Sequence, residues 1–273
     1  MEHALILRAL AMTYLYWLLG ISAAFFALER LLPARRGQRA LRPQLGNDLF
    51  YLVLHGYLWS FFTGGLIGLF ATWTKGGLGL LGLMPKATWL SGTSAPLQFL
   101  VYLLVADFLQ WNVHRLLHRV PLLWKFHQVH HSIQDMDWAG AFRFHWMEVV
   151  VYRSLLYVPL LFLGGDSGPL FAVAIFSTIW GHFNHSNLAL DIGPLARVFN
   201  SPRMHLWHHD ASDEGGTAKN FGIVLSLWDW LFGTAYWPRD RAPGRLGFPE
   251  DERMPADLPR QLAYPLLPNR SSN

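Results

Sequence analysis

The sequence predicts an all-α membrane protein with about four to five transmembrane or re-entrant helices. Two observations carry that expectation. The first is composition: 52% of the 273 residues are hydrophobic and 15% are charged, against about 25% charged in a soluble domain. The apolar residues gather in long runs, the pattern of bilayer-inserted segments. The second is histidine placement, with ten of the thirteen histidines in four tight clusters. These are His114-x3-His118, His127-x2-His130-His131, His182-x2-His185 and His205-x2-His208-His209. Spacings of three and four share one helix face, so the clusters belong on helices as well.

Taken in order, residues 9–26 run without a charge and precede Glu29-Arg30. They lack the small-residue cleavage site of a secretory signal and are expected to form a first membrane helix. Residues 49–74 make a second, which carries His55, and residues 96–113 a third. The third contains Asp107 and runs straight into the first histidine cluster. Residues 149–164 and 169–180 form a pair around a Gly- and Pro-containing turn. Each is short of the ~20 residues of a full span, so a hairpin dipping into the bilayer fits as well as two crossings. From about Pro238 the prolines are too close for long helices, which predicts an irregular tail wrapped on, or hanging from, the rest. The expected division is residues 1–95 for N-terminal membrane helices, 96–237 for the histidine-bearing domain and 238–273 for the Pro-rich tail.

Charge sets the orientation. Arg30, Arg35, Arg36, Arg39 and Arg42 crowd the first connection, whereas Lys75 and Lys86 alone mark the next. The Arg-rich loop is therefore expected on the cytoplasmic side. Counting crossings puts all four clusters on that face of a multi-pass integral membrane protein. The thirteen Trp residues suit rings collected at a bilayer interface. A net charge of +4 comes from basic residues flanking apolar segments, and no basic stripe argues for nucleic acid. With no cysteine, disulfides, thiolate metal sites and cysteine nucleophiles are all excluded.

Imidazoles at these spacings can share a metal ion. The adjacent pairs, His130-His131 and His208-His209, point about 100° apart on a helix, so each member can serve a different ion. Ten imidazoles exceed the about four to six ligands of one ion, and two ions are the economical reading. Nitrogen-only ligands suit Fe, Zn, Cu or Ni, while a closed structural zinc needs about four. Two ions with about five imidazoles each would leave an open position on an octahedral iron, where O2 could bind. At the cytoplasmic end of membrane helices, such a site suits oxidation of a lipid C–H bond. A zinc-dependent, non-redox membrane hydrolase using bound hydroxide is an alternative on the same ligands. A metal transporter or sensor is a further one, but it would spread polar ligands along a transmembrane path. No dinucleotide Gly-rich fingerprint appears, so electrons would come from a separate protein.

Other residues carry open expectations. Asp107, two turns before His114, is costly inside an apolar segment and would orient a ligand imidazole or pair with a base. Glu148 would do the same, or simply favour a helix N-terminus. His145 stands between binding the metal or orienting a ligand and a structural role, and Asp229 between orienting a ligand and a structural role. His55 is expected to be a satisfied polar contact, and Arg115 and Arg143 to meet lipid phosphates or carboxylates.

The segment Asp107-Phe108 … His114-Arg115-Leu116-Leu117-His118 … Leu123-Trp124 … His127-Gln128-Val129-His130-His131-Ser132 resembles the fatty acid hydroxylase / sterol desaturase superfamily of integral-membrane di-iron histidine-box enzymes. Arg143-Phe144-His145-x2-Glu148, His182-Phe183-Asn184-His185, His205-Leu206-Trp207-His208-His209 and Asn220-Phe221-Gly222 … Trp228-Asp229 extend the likeness over residues 107–234. The family often has Pro after the histidine of the Arg-x-His stretch; here Trp146 follows His145. The resemblance implies a membrane helix core capped by a cytoplasmic helical domain with a dinuclear metal site. It implies two iron ions, which zinc can replace in purified protein, and O2-dependent hydroxylation or desaturation of a sterol, fatty acyl or related lipid. It further implies separate electron-transfer proteins fed by NAD(P)H. By carry-over the ligands would be His114, His118, His127, His130, His131, His182, His185, His205, His208 and His209.

Overall fold

A computed structural model describes residues 2–58, 72–73, 76–77, 80, 89–212 and 219–266. Among them every regular element is helical, with three isolated bridges in place of any sheet. Helix α1 spans Glu2–Leu31, longer at both ends than its apolar run. Its stretch Met12–Leu31 is the one helical segment among the described residues that is long and apolar enough to cross a membrane. The expected count of four to five spans is thus matched by a single candidate by that measure. Of the expected second span, residues 49–58 form the end of α2 (Leu45–Tyr51) and a π-helical turn, Leu52–Leu58. Residues 59–71 and 74 lie outside the described residues, as does Lys75.

The third expected helix is α3, Ala95–Arg119, opened by Pro96 in its first turn, where a missing N–H costs nothing. Helix α4, Pro121–His131, starts the same way after the extended Val120. The expected pair appears as α5, Trp146–Leu161, and α6, Ser167–His185. Their connection turns at Gly164, whose φ of 71° favours glycine. Gln98 of α3 clamps it, accepting from Asp166 N at 2.6 Å and donating to Asp166 Oδ2 at 2.9 Å. Short helices follow: α7, Pro202–His208, α8, Leu227–Leu231, and α9, Leu258–Ala263.

One apolar core joins α3, α5 and α6 through Leu103, Ala106, Leu156, Leu160 and Val173. A second seats α1 on α6 through Ile21, Phe25, Ile175 and Phe183. The end of α1 is fixed by Glu29, which accepts from the backbone N–H groups of Trp138 and Asn187, both at 2.8 Å. Residues 245–264 are wrapped on the body. Gly247 N donates to His209 O at 2.9 Å, and Tyr264 Oη donates to Gln128 at 2.5 Å. Leu262 O accepts from both His145 Nε2 (2.9 Å) and Trp146 Nε1 (3.0 Å). The tryptophan that departs from the family pattern thus helps hold the tail.

Candidate metal centre

Four helices converge their C-terminal turns. Helix α3 brings His114 and His118, one turn apart, and α4 brings His127, His130 and His131. Helix α6 ends at His185, and α7 carries His205 and His208, with His209 as its C-cap. Ser201 caps α7 by accepting from Met204 N, and Pro202 occupies its first turn.

These nine imidazoles form two groups. His114, His118, His127, His131 and His208 offer ring nitrogens within 4.8 Å of one another, and so do His130, His185, His205 and His209. All are buried except His118, which is half-buried. The groups share a wall: the rings of His131 and His209 stack with centroids 4.3 Å apart. The adjacent residues His130 and His131 go to different groups, as do His208 and His209.

The outer nitrogens show what the inner ones must do. His114 Nδ1 meets Phe221 O at 2.8 Å, His208 Nδ1 meets Lys219 O at 2.6 Å and His127 Nδ1 meets Glu148 Oε1 at 2.9 Å. His130 Nδ1 meets Arg143 O at 3.1 Å and His185 Nδ1 meets Gly181 O at 2.8 Å. Carbonyl and carboxylate oxygens only accept, so each Nδ1 carries the proton and each Nε2 presents a bare lone pair. In the five-membered group, the Nε2 atoms of His114, His118, His127, His131 and His208 are buried with no partner. In the four-membered group, the Nε2 atoms of His130 and His185 face each other at 3.3 Å. His205 Nε2 lies 3.1 Å from that of His185 and 3.2 Å from that of His209.

Lone pairs aimed at one another in a dry site repel, and each unmet buried acceptor costs about 1–3 kcal/mol. A cation in each group removes both penalties, so the residues fit a pair of metal ions. Burial, reinforced by neighbouring imidazoles, pushes His130, His131, His205 and His209 well below the ordinary imidazole value. Burial pushes His208 down to about 3. All five are neutral near pH 7, the form that binds metal.

His182 departs from the carried-over ligand set. Its Nε2 meets Ser22 Oγ of α1 at 3.1 Å and its Nδ1 meets Thr178 O at 2.9 Å. The ring lies flat on Trp138, at 10° and 6.0 Å, and joins neither group. His145 is a helix cap rather than a neighbour of the ligands: its Nδ1 accepts from Met147 N, while Nε2 holds Leu262 O. Glu148 holds the ring of His127 directly. The two aspartates act through the backbone. Asp107 accepts from Val224 N, Leu225 N and Trp228 Nε1, and Asp229 from Phe221 N, Gly222 N, Trp111 Nε1 and Thr234 Oγ1. Together they pin the loop that delivers Phe221 O to His114. Gly222 is required there, because a Cβ would lie 2.3 Å from Leu225 O. His55 is buried against Phe142 O at 3.3 Å.

Sequence reasoning missed three supports. Arg143, expected at lipid, is buried and forms a two-point pair with Asp48, while its own carbonyl holds His130. Asp48 also takes Arg42 at 2.6 Å, and Arg42 takes Asp137 at 2.6 Å, a buried chain of alternating charge. Asn220, at φ 56°, donates to Met204 O and Tyr236 O and so sets the exit of the 219–222 loop. Its signal was the Asn-Phe-Gly string, since Asn tolerates positive φ.

A fatty acid hydroxylase family model matches residues 99–234. Among curated proteins, the chain is 34% identical over 142 residues to an ornithine lipid hydroxylase of Rhizobium tropici, covering 52% of this chain and 42% of that one. It is 32% identical over 130 residues to human alkylglycerol monooxygenase, covering 47% of this chain and 28% of the relative. It is 25% identical over 146 residues to methylsterol monooxygenase 1-3 of Arabidopsis thaliana, covering 50% and 47%. Each alignment spans less than half of the relative's length. No solved structure matches.

Proposed function

Because its histidine-bearing half belongs to the fatty acid hydroxylase / sterol desaturase superfamily, we propose that this chain is a membrane-bound, O2-dependent oxidoreductase. It hydroxylates or desaturates a C–H bond of a sterol, fatty acyl or related lipid. The observation that carries this reading is the double cage of nine converging imidazoles, five of them with the proton held on Nδ1 by a carbonyl or carboxylate and Nε2 left free to bind a cation. A closed structural site would be served by one such group; two groups sharing the His131–His209 wall suit two ions working on one reactant, and the hydroxylases and monooxygenases among the relatives favour oxidation over hydrolysis at such a pair.

His114, His118, His127, His131 and His208 would hold one ion, and His130, His185, His205 and His209 the other. Two iron ions bound there would supply the activation of O2 and the oxidation of the C–H bond. The protein's part is positional. Glu148, Phe221 O and Lys219 O hold the protons of the first group on Nδ1, and Arg143 O and Gly181 O do so for the second. With five imidazoles in the first group and four in the second, an ion in the second would have fewer protein ligands. Burial of both groups excludes bulk water from the oxidant. Electrons would arrive from a separate NAD(P)H-fed protein at the cytoplasmic face, and the lipid from the bilayer.

The test is comparative lipidomics under labelled O2 in cells expressing wild type or His208→Ala. Label entering a lipid, or a new double bond, only with wild type is the expected result. Identical lipid profiles in the two strains overturn the reading.

A further inference from the structure

Arg115 sits on α3 between two metal-facing imidazoles, one residue past His114 and three before His118. Its guanidinium lies over the Trp111 ring, 4.3 Å from the centroid. Trp111 is itself fixed: its indole donates to Asp229 at 2.9 Å, and its ring packs on Phe232 at 4.9 Å and Phe108 at 6.2 Å. A cation on so rigid a platform has its plane set in advance.

Among the described residues that cation has no ion-pair partner within hydrogen-bond reach, and its Nε is buried without a partner. The nearby carboxylate of Asp229 is already committed to Trp111, Thr234 and two backbone N–H groups. Arg119, one turn on and exposed, adds a second positive charge instead of relieving the first. Like charges four apart destabilise a helix. Arg42 and Arg143, by contrast, are fully matched by Asp48 and Asp137.

The surroundings are apolar and open. Leu116 is 46% exposed and Phe232 54%. His118, the one half-buried imidazole of the two groups, lies one turn from Arg115.

We propose that Arg115 and Arg119 form an oxyanion site that holds the phosphate or carboxylate head of a membrane lipid at the open edge of the metal centre. The lipid chain lies along the Leu116 and Phe232 surface. This deepens the oxygenase reading above and rests on it for the identity of the lipid as substrate. The in-plane N–H groups of the stacked guanidinium match two oxygens of such a head, and Arg119 supplies the remaining charge.

The experiment measures binding to the purified full chain in nonionic detergent. Dioleoyl phosphatidate is compared with dioleoylglycerol, which lacks the phosphate, and with inorganic phosphate. Arg115→Gln should weaken phosphatidate binding about tenfold or more and leave dioleoylglycerol unchanged. Arg115→Lys should restore only part of the loss, because it cannot present a two-point fork. Arg119→Gln, at an exposed position, should act in the same direction and gives the comparison should Arg115 variants fail to fold. Wild-type metal content in each variant certifies the fold. Equal losses for both lipids, no loss in any variant, or inorganic phosphate binding as tightly as phosphatidate would each overturn the proposal. Binding is read without turnover, so a blank labelled-oxygen assay with selective phosphatidate binding would sink the oxygenase reading alone.

Discussion

Glu148 accepts a hydrogen bond from His127 Nδ1 at 2.9 Å, while its second oxygen, Oε2, is buried without a partner. The carboxylate is thus aimed at a single task, keeping the His127 proton on the outer nitrogen. Glu148→Gln keeps the shape but offers an amide that can donate as well as accept. Metal affinity of the five-membered group should fall about 10–100-fold, read by competition with a chromophoric chelator. Unchanged affinity would show that the pair is incidental.

His182 and His185 lie one turn apart on α6 yet have different fates. His182→Ala removes the contacts to Ser22 and Thr178, costs stability, and should leave the metal-to-protein ratio of wild type. His185→Ala takes a nitrogen from the four-membered group and should lose one ion of two. Elemental analysis of both purified variants decides, and equal losses would return His182 to the ligand set.

Asp48 is fully buried between Arg42 and Arg143. Asp48→Asn leaves two guanidiniums facing one remaining carboxylate, Asp137. Removing one partner of a buried pair costs about 3–5 kcal/mol, so thermal unfolding should shift steeply downward. The companion change Asp48→Glu keeps the charge and should cost less. A shift no larger than that of an exposed acid such as Glu252→Gln would contradict the buried-chain account.

Acid should act on the metal-free protein over a defined window. In the folded state burial holds His208 at about 3, and His130, His131, His205 and His209 well below the ordinary 6.5. The unfolded chain takes up protons as pH falls past 6.5, while the folded chain does not. Stability therefore drops as pH falls from about 6.5 toward 3 and is regained as it rises. Unfolding midpoints in chelator between pH 7.5 and 4.5 test this; a flat profile would refute it.

The helices and the clustering of imidazoles were legible because both are written locally, in apolar runs and in spacings of three and four. The parting of His130 from His131 also follows from helix geometry, since neighbours point about 100° apart. The position of His182 does not. Its spacing to His185 equals that of a shared-ion pair, and what sets it aside is Ser22, 160 residues earlier on α1. Likewise Arg143 looked like a lipid contact because its partner Asp48 is 95 residues away, and no local pattern announces so distant a pairing. The carbonyls of Phe221, Lys219 and Arg143 were invisible for another reason: every residue has one, and only the loop path aims it.

Gly247 N donates to His209 O, so the last imidazole of the cage is held by chain well beyond it. With a Cβ at Gly247 lying 2.0 Å from Asp251 Oδ2, that contact tolerates no side chain. Every metal-facing histidine precedes residue 247 in the chain, so the backbone of the last one is fastened by a segment made after all of its ring partners. The end of the cage and the segment 245–264 therefore order together, and loosening the tail loosens a wall of the metal centre.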